Sequence, residues 1–107
     1  MSSINGTYVN SNADARLVVT DGNDPNGSFS GELTQAGVKY SVTGHYHFQN
    51  NSGQPTTISF SAYNFDYGYQ AWALFSSDHK YGRLRALGAR TNFSGDVVGL
   101  SGEFLRQ

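Results

Sequence analysis

The stretch Tyr40-Ser41-Val42-Thr43-Gly44-His45-Tyr46-His47-Phe48 decides the fold class. Successive side chains of a strand point to opposite faces, so Tyr40, Val42, Tyr46 and Phe48 share one face, and Ser41, Thr43, His45 and His47 share the other. That split predicts a half-buried strand. Working outward, short segments rich in Val, Thr, Tyr, Phe and Ser alternate with clusters of Gly, Asn, Asp and Pro, and no stretch of helical period competes with them. Strands are predicted at 5–10, 15–21, 28–34, 38–49, 56–64, 69–76, 82–91 and 96–106. Every separator between them is short, from Ser11-Asn12-Ala13-Asp14 to Asn92 through Gly95. Such turns cannot make the long crossovers of a parallel sheet or a Greek key. The expectation is an all-β, eight-stranded antiparallel up-and-down β-barrel, whose closure removes exposed sheet edges.

The fifth predicted strand divides in the same way, with Ile58, Phe60 and Ala62 on one side and Ser59, Ser61 and Tyr63 on the other. One of these two faces, the apolar one or the hydroxyl-lined one with its aromatic ring, is a candidate lining for a polar pocket. A length of 107 residues supports one domain spanning 1–107, without internal repeat, linker or low-complexity tract. Charged residues make up 14% and the net charge is −1, so no overall field attracts nucleic acid or an anionic membrane. The chain has no Cys, which removes disulfides, thiolate metal sites and a catalytic thiol. Met1-Ser2-Ser3-Ile4-Asn5 shows no basic stretch followed by an apolar core, and no apolar run nears the roughly 18 residues of a membrane span, so the chain reads as a soluble domain of undetermined compartment.

The order of motifs resembles the avidin and streptavidin family. Gly6-Thr7-Tyr8-Val9-Asn10 is similar to the family's first strand, Gly-Thr-Trp-x-Asn, and is followed by an apolar strand ending in Thr, Leu17-Val18-Val19-Thr20. Tyr40-Ser41-Val42-Thr43-Gly44-His45-Tyr46 is similar to its Tyr-x-Leu-Thr-Gly-Arg-Tyr. Shorter matches are Ala62-Tyr63-Asn64, Gln70-Ala71-Trp72 and Val98-Gly99. The resemblance covers nearly the whole chain and implies a barrel that binds biotin in its mouth and assembles as a dimer or tetramer. It implies that Asn10 and Asp14 stand where the family bonds the ureido oxygen, that Tyr63 and Trp72 stand in the aromatic box, and that Phe93 is the ring lent to a neighbouring subunit. The sequence departs from the family at four points. Ser101, Gly102 and Glu103 stand near the last-strand Asp acceptor, and Leu33 replaces a Tyr donor. No Trp occurs around Leu87 to Ala89, and the lid loop shrinks to Thr34-Gln35-Ala36-Gly37. Each unpaired ureido N–H would cost about 1–3 kcal/mol, so the implied binding is weak.

Other constellations carry less. His45 and His47 share a strand face, yet a zinc site needs three or four ligands, and surface histidines are the simpler reading. Asp78-His79-Lys80 and the many serines lack a Gly-x-Ser-x-Gly elbow, so no enzyme is expected, and neither a metal nor a cofactor. Arg83 and Arg85 form a fork for a carboxylate, a phosphate or a subunit contact, or else a solvated outer face. Tyr63, Phe65, Tyr67, Tyr69 and Trp72 form the densest aromatic cluster, suited to stacking on a ring, whether biotin-like or sugar, or to packing at the barrel end. Ile58, Phe60, Leu74, Leu84 and Leu87 are too many for a small barrel and predict a homo-oligomer. The resulting expectation is a non-catalytic protein that binds a small ligand weakly at the open barrel end. The alternative is a carbohydrate-binding or other interaction protein on the same barrel.

Overall fold

Each strand pairs antiparallel with its neighbour in sequence, and the last returns to the first, so the chain closes as an eight-stranded up-and-down barrel. The computed structural model describes residues 4–48, 55–77, 80–92 and 94–107. The strands are β1 (Gly6–Asn10), β2 (Ala15–Val19), β3 (Ser28–Gln35), β4 (Val38–Phe48), β5 (Thr56–Asn64), β6 (Gly68–Ser76), β7 (Arg83–Thr91) and β8 (Val97–Arg106). They follow the predicted segments closely. β2 stops short of residue 21, although Thr20 still donates its N–H to the Ser30 carbonyl at 3.0 Å. The β3–β4 turn is as tight as a hairpin can be. Gln35 pairs with Val38 across Ala36 (φ 51°) and Gly37 (φ 81°), both in the left-handed region that such a two-residue turn demands.

Alternation sorts the side chains as the sequence implies. Tyr40, Val42 and Tyr46 are buried, while Ser41, Thr43, His45 and His47 are exposed. On β5 the inward residues are Ile58, Phe60 and Ala62, so the hydroxyl face with Ser59, Ser61 and Tyr63 is the barrel exterior and lines no interior pocket. The barrel also holds most of the large apolar side chains whose crowding predicts an oligomer. Ile58, Phe60, Leu74 and Leu84 are all inside, at 5%, 4%, 5% and 2% exposure, and only Leu87 points out, at 67%. Inward glycines make the room: a Cβ on Gly44 would lie 2.3 Å from the Phe29 ring, and one on Gly88 would lie 2.5 Å from Trp72. Each large apolar side chain so enclosed contributes about 1.5–3 kcal/mol of burial free energy.

The two ends of the barrel differ. At one end Ile4, Tyr8 and Tyr81 are buried together, and the Tyr8 hydroxyl donates to the Ile4 carbonyl at 2.6 Å. Arg106 lies over the Tyr8 ring at 5.4 Å and donates to the carbonyls of Asn5 and Lys80. That end is capped by its own side chains. The other end is formed by the C-termini of β1, β3, β5 and β7 and the N-termini of β2, β4, β6 and β8, and there the interior turns polar.

Candidate functional site

Alternation brings Asn10, Gln35 and Gln70 to the inner face at this end, all three buried, with Trp72 one layer deeper than Gln70. A buried amide is costly unless bonded, and these are bonded in series. Trp72 Nε1–H donates to Gln70 Oε1 at 2.9 Å, Gln70 Nε2 to Gln35 Oε1 at 3.1 Å, and Gln35 Nε2 to the Ala13 carbonyl at 2.9 Å. The orientation follows from the ends of the relay. An indole can only donate and a carbonyl can only accept, so each glutamine turns its oxygen toward Trp72 and its nitrogen toward Ala13. The Ala13 N–H then donates to Asn10 Oδ1 at 3.2 Å, and Asn10 Nδ2 donates to the Ser101 carbonyl at 3.3 Å. The relay thus runs from β6 to β3, through the β1–β2 turn, to β8.

The space beside Asn10 on β8 is taken by Gly102, where a Cβ would come within 2.6 Å of Asn10 Oδ1. Gly102 brings no side chain there, and among the described residues Asn10 Nδ2 finds the Ser101 backbone carbonyl, which takes a second bond from Asn12 Nδ2 at 2.9 Å, with the Ser101 hydroxyl 3.4 Å from the same nitrogen. Each amide nitrogen of the relay uses one of its two N–H groups in these bonds. The three amides are 0%, 6% and 1% exposed, so the remaining N–H groups lie beneath the protein surface.

Trp72 is 3% exposed, stacked on Phe60 at 6.1 Å and met edge-on by Phe104 at 5.2 Å, so it closes the floor of the polar layer. Asp14 is exposed on the β1–β2 turn at φ 50°, its carbonyl accepting the Ala36 N–H at 2.9 Å. Asn10 and Asp14 share a depression at the rim of about 600 Å³, which Arg16 and Thr34 also line. Tyr63 stands apart from these. The register that buries Ala62 turns it outward, where it is 43% exposed and packs on Tyr69 at 4.8 Å. Phe93 lies outside the described residues.

Arg90 joins the site unforeseen. It pairs in register with Gln70 on one side and Val98 on the other, which places it on the inner face of β7. Gln35, Gln70 and Arg90 could have been found in the sequence, because each keeps the parity of an apolar inward residue two positions away or more: Leu33, Trp72 and Leu84. The β5–β6 hairpin on the rim of the same end exposes Phe65 (83%), Tyr67 (50%) and Tyr69 (58%). Its turn is held by Asn64 Oδ1, which accepts from the N–H groups of Asp66 and Tyr67 at 2.7 and 3.0 Å.

On the outer wall an open groove of about 850 Å³ crosses β6 to β8 past Phe75, Arg83, Arg85 and Leu87. Arg83 Nε lies 3.7 Å from Glu103 there, an exposed pair worth little in water. His45 and His47 sit on the exterior, and among the described residues no group of three or more His, Cys, Asp or Glu is placed to hold a metal ion. Comparison with protein-family models, with curated proteins and with solved structures finds no match to this chain.

Proposed function

We propose that this chain is a non-catalytic binding protein of avidin type, taking biotin or a biotin-like small molecule at the polar end of the barrel. One observation supports this reading above the others: at the end of the barrel that carries the β1–β2, β3–β4, β5–β6 and β7–β8 turns, three buried amides are bonded in series to the indole of Trp72 above an apolar floor, with Arg90 across the register from Gln70. Such convergence of a few polar groups on an apolar floor is the usual make-up of a small-molecule site. Binding is weak in this reading. The ligand must compete with the internal bonds of Asn10, Gln35 and Gln70, Gly102 brings no side-chain acceptor opposite Asn10, and the two-residue β3–β4 turn supplies no lid. Calorimetric titration with biotin tests it; a Kd in the micromolar range or weaker is expected, and no heat at millimolar biotin would overturn it.

The alternative, carbohydrate recognition, is favoured by the exposed rings of Phe65, Tyr67 and Tyr69, which offer flat apolar area beside Asp66 and Asn64 for a sugar. A glycan array run beside the titration separates the two. Self-association through the outer wall of β6 to β8 belongs to the same proposal, since Leu87 stands 67% exposed there amid Ala71, Ala73 and Ala89. Light scattering on native protein and on Leu87→Lys tests it: an oligomer that the substitution dissociates is expected, and a native monomer at micromolar concentration refutes it.

A further inference from the structure

We infer that Arg90 is an anion-binding residue, and that the ligand of the barrel mouth carries a carboxylate or another oxyanion which its guanidinium receives. The inference rests on the mouth being the ligand site, and it adds the charge of the ligand. Arg90 Nε is buried and has no hydrogen-bond partner, and among the described residues no carboxylate pairs with its guanidinium. A guanidinium stays charged and carries five N–H donors. Of these, the Nε–H is withdrawn from water with no acceptor, which is unfavourable, while the residue as a whole stays partly exposed.

The other inward-facing arginine shows what this barrel does with such a group when its role is structural. Arg106, at the capped end, donates to two backbone carbonyls and lies on the Tyr8 ring. Arg90 has no such arrangement, although it sits one register position from the amide relay, directly across from Gln70. Gln70 Oε1 accepts from Trp72, and Gln70 Nε2 keeps one N–H beyond its bond to Gln35. The neighbourhood therefore combines a cation with further N–H donors, and the group that satisfies both is an oxyanion from outside the chain. Arg90 is partly exposed as a residue, so solvent and solutes reach it. The planar fork of the guanidinium matches the two oxygens of a carboxylate.

The test uses the full chain and its Arg90→Gln variant, each titrated with biotin and with its uncharged carboxamide. Native protein is expected to bind biotin about ten- to hundredfold more tightly than the carboxamide, the gain of a charged hydrogen bond. The variant should bind both with the carboxamide's affinity. Equal affinity of native protein for the two, unchanged by the substitution, would overturn the anion site and leave the mouth as a binding site. If neither compound binds, the biotin reading falls, and a second measurement on native protein decides the anion site alone. In that measurement the Arg90 Nε–Hε NMR signal is followed while acetate or inorganic phosphate is added. A saturable shift supports the site, and the anion that acts at lower concentration names the oxyanion class. An unmoved signal with both overturns it.

Discussion

The Trp72 indole donates its N–H to the side-chain oxygen of Gln70, two residues earlier on the same inward face of β6, at 2.9 Å. The bond ties the apolar floor of the barrel to its polar mouth, and both partners are buried. Trp72→Phe keeps most of the ring and removes the donor, leaving the Gln70 oxygen buried without it. A loss of about 1–3 kcal/mol is expected from chemical denaturation. Trp72→Ala, which also empties the space between Phe60 and Phe104, should cost about 3–5 kcal/mol. A Phe variant as stable as the native chain would show that the bond contributes nothing.

Gly88 is the position over which that indole lies. Added at Gly88, a Cβ would stand 2.5 Å from Cδ2 of Trp72, and two further indole carbons lie at 2.8 Å. Gly88→Ala is therefore expected to lower stability by about 1–3 kcal/mol through overpacking, although Ala is the better strand residue. In a Trp72→Leu background the penalty should vanish. A double-mutant cycle on thermal unfolding measures the coupling.

Asn10 holds the β1–β2 turn and reaches β8 through Ser101, so its first duty is to the fold. Asn10→Ala should destabilise the protein by about 1–3 kcal/mol whether or not a ligand is present. Asn10→Asp keeps an oxygen for Ala13 but sets a carboxylate at a fully buried position against the Ser101 carbonyl, and should be at least as destabilising as Asn10→Ala at neutral pH. Urea titration of the three proteins checks the order.

Burial pushes the Tyr8 phenol up to about 12 from 10.0, against the opposing pull of Arg106, and burial raises Tyr81 as well. Below pH 10 both phenols are neutral folded and unfolded, so the stability they confer is fully present there. As pH climbs from 10 toward 12 the unfolded chain loses the Tyr8 proton first, and stability falls. Urea midpoints at pH 9, 10 and 11 should decline in native protein. The decline should be shallower in Tyr8→Phe, which starts lower for want of the bond to Ile4.

Strand positions and their faces were legible in the sequence because alternation and turn chemistry are local. Tyr40 to Phe48 announces which residues face inward, and Ala36-Gly37 marks a hairpin without reference to any other part of the chain. Asn10 and Trp72 were named by the motifs they resemble, and the structure buries both. Tyr63 was named by its place in a motif, whereas the pairing of β5 with β4 and β6 fixes its parity and turns it outward.

What the sequence by itself determined is therefore the all-β class, the eight strands and the sidedness of each, since these depend on residues within two or three positions of one another. Only the tertiary structure decided which inward residues meet. The relay from Trp72 through Gln70 and Gln35 to Ala13 and Asn10 joins residues up to 62 positions apart, which become neighbours only when the barrel closes. The same closure decided that four large apolar side chains fit inside, because inward glycines on neighbouring strands make room for rings such as Phe29 and Trp72. It also left Arg90 on the inner face without the partners that Arg106 finds at the other end. Hydrogen-bond satisfaction is a property of three-dimensional surroundings, and no local pattern encodes it.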